Sequence, residues 1–165
     1  MTEPSSLASG AIRMVNDHAC FGCGIENVHG LQLQFETNPD GDGVLTHVTL
    51  APRFEGYMGV AHGGIISTIL DEVMAWSLYR HEIWAVTGQM ETRFRKPVEI
   101  GEPLIAIGHL RNDRGRVVET SGELRDARDD TLLGEATATF VRVPESQAEA
   151  WRERYLGLAS AREQE

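Results

Sequence analysis

Only two of the 165 residues are cysteine, too few for the disulfide framework of a small secreted domain. No stretch approaches the ~18 apolar residues that a membrane-spanning helix needs. The opening MTEPSSLASG has neither the basic region nor the apolar core of a secretory signal. A reduced, cytoplasmic setting is therefore expected. Basic charge is also short. Fifteen Lys and Arg stand against 25 Asp and Glu, a net charge of −10, which argues against nucleic acid and anionic membranes as partners. A polyanionic ligand would need a local basic patch against that background. Repeats and low-complexity tracts are missing too, and the length suits one domain with a real core.

What is present has a clear order. Residues 1–16 are polar and small and read as a flexible arm; 17–144 form the domain, and 145–165 a C-terminal helix and tail. Residues 31–36, LQLQFE, alternate apolar with polar as a half-buried strand does. After the turn NPDGDG at 38–43 comes a second strand over 44–50. Residues 52–59 read as a loop and 63–80 as the one long helix. Strands are expected over 84–94, 104–111, 117–124 and 132–143, with turns at 112–115 and 126–130. Pro144 ends the last of them. A polar helix follows over 145–159, with Trp151, Tyr155 and Leu158 as its sparse apolar face.

Consecutive antiparallel strands with a single long helix need that helix to cover one sheet face. Stepping about 100° per residue from Gly64, the residues Ile66, Ile69, Leu70, Val73 and Ser77 cluster on one side. Gly64, Ser67, Thr68, Asp71 and Ala75 lie opposite, and almost all are small. A solvated helix back normally carries Lys, Glu and Arg, so these small residues suggest close packing by a partner subunit or a ligand.

The segment HGGIISTILDE at 62–72 carries the chemistry. Two glycines at a helix start leave backbone N–H groups approachable by a developing negative oxygen. Asp71, a carboxylate on a mostly apolar helix, is what a hydrolytic site would use to activate water. Together they suggest acyl transfer to water. Seven helical steps separate Gly64 from Asp71, about 10 Å, so one carbonyl carbon cannot touch both. If both act, they act from different subunits of a dimer.

The ordered set Cys20-Phe-Gly-Cys23-Gly24 with Asn27 and Gly30-Leu31, then Gly59-Val-Ala-His62-Gly-Gly64 with Asp71-Glu72, then Thr87, Arg93-Phe-Arg-Lys-Pro97 and Gly101-Glu102, resembles the hotdog-fold acyl-CoA thioesterases of the phenylacetate-degradation and hydroxybenzoyl-CoA type. The likeness runs from about Cys20 to Arg142. It implies an α+β hotdog fold, an antiparallel sheet of about six strands wrapped round one central helix, dimerising by extension of the sheet. It implies hydrolysis of an acyl-CoA thioester at the dimer interface, in a homodimer or a dimer of dimers (a homotetramer). Gly63 or Gly64 would hold the carbonyl oxygen by a backbone N–H. Asp71 would be general base or nucleophile, and Thr87 would position water or Asp71. His62 joins the catalytic set as the residue that caps the helix or shapes the turn. Some relatives add an amide side chain before the His-Gly-Gly; here residues 54–58 read FEGYM, with none.

Arg93, Arg95 and Lys96 are the candidate holders of coenzyme A phosphates; the other reading is that they balance acids such as Glu91 and Glu99. Tyr57 and Met58 are candidate acyl-pocket residues, with Trp76, Tyr79 and Trp84 as pocket or core. Glu72, about 100° round the helix from Asp71, reads as a surface or pairing residue and the second choice of acid. His18, Cys20, Cys23 and His29 invite a zinc reading. A structural zinc site usually pairs two such knuckles, however, so a glycine-rich turn is preferred and no metal or cofactor is expected. Two rival functions remain open: a non-catalytic acyl-CoA sensor, and an acyl-thioester hydratase or dehydratase.

Overall fold

The computed structural model describes residues 17–156. The expected arm at 1–16, and the tail at 157–165 with Leu158, lie outside the described residues. Eight strands and two helices follow in the order β1 (Glu36–Thr37), β2 (Val44–Thr49), β3 (Glu55–Tyr57), β4 (Val60–Ala61), α1 (Gly63–Tyr79), β5 (Ala85–Phe94), β6 (Pro103–Asp113), β7 (Val117–Asp126), β8 (Leu132–Arg142) and α2 (Glu145–Leu156). Six of the strands form one antiparallel sheet in the order β1-β2-β6-β7-β8-β5, and β3 pairs with β4 in a separate hairpin. The sheet wraps α1, as the sequence led us to expect.

Period-two burial makes that wrapping possible. Along β7, Val118, Thr120 and Leu124 are buried while their neighbours are not. The helix crosses where side chains are smallest. Gly108 of β6 and Gly122 of β7 are register partners, and a Cβ at Gly108 would lie 2.0 Å from the Val73 carbonyl oxygen. Only glycine lets the helix backbone come so close. Ala106, Ala136 and Ala138 continue this shallow floor. On α1 the stripe Ile66, Ile69, Leu70, Val73 and Ser77 is buried against it. Trp76 is buried as well, stacked on Phe35 with ring centroids 4.4 Å apart. Tyr79 meets Trp76 and Trp84 edge-on. Trp84 then stacks on Tyr155 of α2, so these aromatics dock α2 to the core.

Two local expectations need correction. The strand over 31–36 shrinks to Glu36–Thr37. Gln32 adopts φ +50°, and the Leu31 and Leu33 N–H groups bond to Phe21 and Gly22 carbonyls; the segment pairs with a turn, not a ladder. Its alternation reports burial of Leu33 and Phe35, not sheet membership. The loop over 52–59 instead contains a 3₁₀ turn, Pro52–Phe54, and the β3–β4 hairpin, whose Gly59 supplies φ +78°.

Candidate active site

Helix α1 begins with an unequal distribution of donors. His62 is its N-cap, and its Nδ1 accepts the Gly64 N–H at 2.9 Å. The His62 carbonyl takes the Ile65 and Ile66 N–H groups at 2.9 and 3.2 Å. Of the first four helical N–H groups, three are therefore occupied. Gly63 alone keeps a backbone N–H without a partner among the described residues. The sequence left Gly63 and Gly64 equivalent; the cap separates them. Gly63 opens onto a surface groove of about 350 Å³ shared with Val60, Ala61, Phe94 and Lys96.

Asp71 sits two turns further along, half-buried, with the Thr87 hydroxyl donating to Oδ1 at 2.8 Å. Burial raises its pKa above the ordinary carboxylate value; the Thr87 hydrogen bond opposes that rise and the nearby Cys20 sulfur adds to it. A carboxylate partly stripped of water with one oxygen anchored keeps its other oxygen for a proton transfer. Gly63 and Asp71 lie eight residues apart on one helix, about 12 Å, so within a single chain they cannot face the same carbonyl carbon.

Strand β5 links the two. It runs beside α1 with Thr87 against Asp71 and the Phe94 ring 3.4 Å from where a Gly63 Cβ would stand. An even strand could not do this, since residues 87 and 94 would face opposite sides. The register shift between Thr87 and Gln89 inserts one extra residue and turns both toward the helix. β5 is also an edge of the sheet, bonded to β8 on one side only. Val86 and Phe94 on it are 47% and 58% exposed.

The remaining candidates fall out unevenly. Arg93 pairs with Glu91, Nη2 to Oε1 at 2.9 Å. Arg95 is bound to Glu135, not to Glu99. Lys96 has no ion pair among the described residues, so of the three proposed phosphate holders it is the one left free. Tyr57 and Met58 are 86% and 95% exposed at the β3–β4 tip. Glu72, read as a surface or pairing acid, is neither solvated nor paired to a base. Its carboxyl lies against Cys20 and Cys23. Sequence reasoning missed Phe94 at the Gly63 groove, although its place in the Arg-Phe-Arg-Lys-Pro run was visible.

The model of the thioesterase superfamily matches residues 58–133, which contain both the glycine turn and Asp71. Acyl-coenzyme A thioesterase THEM4 of Xenopus laevis is 29% identical over 92 residues, 56% of this chain and 41% of that protein. The chain thus spans about two fifths of the length of that curated relative. A crystallised thioesterase superfamily protein superposes with TM-score 0.70 at 29% identity, covering 74% of this chain and 60% of the other. A Streptococcus mutans protein crystallised with acetyl CoA has the same fold, with TM-score 0.59 at 22% identity, covering 62% of this chain and 82% of its own.

Proposed function

From the match of residues 58–133 to the thioesterase superfamily model and the likeness to acyl-CoA thioesterases, we propose hydrolysis of an acyl-CoA thioester to acid and free CoA, in a cleft shared by two copies. The Gly63 N–H of one copy holds the carbonyl oxygen as it becomes an oxyanion, and the Asp71 carboxylate of the other activates water against the carbonyl carbon. A direct attack by Asp71, with hydrolysis of the resulting anhydride, uses the same groups. No metal enters either route.

The single observation that carries the reading is the placement of both groups beside one free sheet edge. Antiparallel pairing of β5 with a second β5 about a twofold axis at Glu91, with the extra residue Gly88 left unpaired, sets Phe94 of one chain opposite Thr87 of the other. Each Gly63 then faces the other chain's Asp71, and both sites form at once. The same pairing covers the exposed Val86 and Phe94 and satisfies the edge hydrogen bonds of β5. Phosphate binding falls to Lys96, which shares the Gly63 groove, while Tyr57 and Met58 serve the acyl group only when a second copy closes over them.

The test is thiol release across short, long and aromatic acyl-CoAs, with Asp71→Asn measured alongside. A positioned base contributes about 10²–10⁴-fold, and the variant is expected to lose that much. Activity unchanged by Asp71→Asn removes the residue from the mechanism. Binding of acyl-CoA without any thiol release favours a sensor over an enzyme.

A further inference from the structure

Two thiols and a carboxyl meet on the side of α1 next to Asp71, and the reaction above uses none of them. One ligand atom each from Cys20, Cys23 and Glu72 lies within 4.8 Å of the other two. Cys20 Sγ is 3.5 Å from Glu72 Oε1. A thiolate and a carboxylate bound tetrahedrally to zinc, at about 2.3 and 2.1 Å, stand about 3.6 Å apart. The turn is built for this approach. Gly22 lets the carboxyl in, since a Cβ there would fall 2.3 Å from Glu72 Cδ. Gly24 lets the chain fold back, since a Cβ there would fall 2.1 Å from the His18 carbonyl oxygen. The Gly24 N–H bonds to the Cys20 carbonyl at 3.0 Å, and the Gly22 and Cys23 amides turn toward the Cys20 sulfur. A Cys-x-x-Cys-Gly turn with amides on its first sulfur is the local shape of a metal knuckle.

Charge points the same way. Three acidic groups face one another, and no Lys, Arg or His pairs with any of them among the described residues. A cluster of acidic ligand groups with no basic partner is one in which a cation can take the place of the protons.

We propose that Cys20, Cys23 and Glu72 bind one thiophilic divalent cation of the zinc class, in place of the thiol and carboxyl protons, with a fourth position open to solvent. Two thiolates exclude magnesium and calcium. The ligand set differs from the one the sequence offered: His18 and His29 stand outside the group. The ion would staple residues 17–35, a segment with no strand of its own, onto α1.

The test uses the 165-residue chain, kept reduced with a phosphine and given Co²⁺ as the sole metal. One Co²⁺ per chain is expected, with thiolate-to-cobalt charge-transfer absorption and tetrahedral d–d bands, all displaced by Zn²⁺. Glu72→Gln should weaken the affinity by roughly tenfold or more, and the Cys20→Ser/Cys23→Ser double variant should lose the charge-transfer band. Reduced wild-type protein that shows no such band overturns the proposal. So does a band that persists in the double variant. The wild-type spectrum decides alone if a variant fails to fold, and neither readout depends on thioesterase activity.

Discussion

Gly63→Pro deletes one hydrogen-bond donor at a position where the fold tolerates proline. Gly63 is the first residue of α1, the helical position proline favours. The residue before a proline must be extended, and His62 already is, with φ −64° and ψ 135°. The lost N–H bonds to nothing among the described residues, and the added Cβ meets Phe94 at 3.4 Å. The variant should therefore fold, and gain about 0.4–1 kcal/mol from the stiffer unfolded chain. Its turnover should fall by about 10²–10³, the 2.7–4 kcal/mol that one oxyanion donor supplies. Gly63→Ala, which keeps the N–H and makes the same contact, is the control. Steady-state thiol release and thermal melts measure both effects. A folded proline variant that turns over as fast as the alanine variant would refute the assignment of Gly63 as donor.

Gly108→Ala should cost about 1–3 kcal/mol or more by overpacking, because its Cβ would strike the Val73 carbonyl, backbone that cannot swing aside; an unchanged urea midpoint would contradict the close crossing of α1 over β6. Asp126 is held down at about 2, first by the Arg128 side chain and then by the Arg128 backbone N–H. A depressed carboxylate pKa stabilises the fold above the ordinary carboxylate range and loses that contribution as pH falls through about 2. Asp126→Asn should thus lower the urea midpoint at neutral pH, with the gap closing on acidification; a gap that persists in strong acid would contradict the pairing.

The parts of the fold that were legible are those that repeat. The stripe from Ile66 to Ser77 follows the helical period, and the four long strands are set off by turns with strong local chemistry, such as Asp113-Arg-Gly115, where Asp113 accepts the Gly115 N–H. The hairpin at 55–61 was hidden because Pro52, Gly56 and Gly59 mimic a loop. In the site, the glycine turn and Asp71 could be read from chemistry alone. That the His62 ring consumes the Gly64 donor could not, nor could the extra residue between Thr87 and Gln89 that turns Thr87 and Phe94 to one face. Arg93 and Arg95 looked free because their partners depend on register: Arg93 lies opposite Glu135, which Arg95 then reaches. Glu72 joined the cysteines across 52 residues of sequence, a closeness only Gly22 permits.

Mixed oligomers test the shared cleft most directly. Gly63→Pro and Asp71→Asn chains are each expected to be nearly inactive alone. Co-expressed, half of randomly formed dimers pair one with the other, and each such pair holds one intact cleft, so about a quarter of wild-type activity should return. Recovery to that level fits a cleft built from two chains. A mixture that stays as inactive as its parents, with mixed dimers shown to be present, would contradict it.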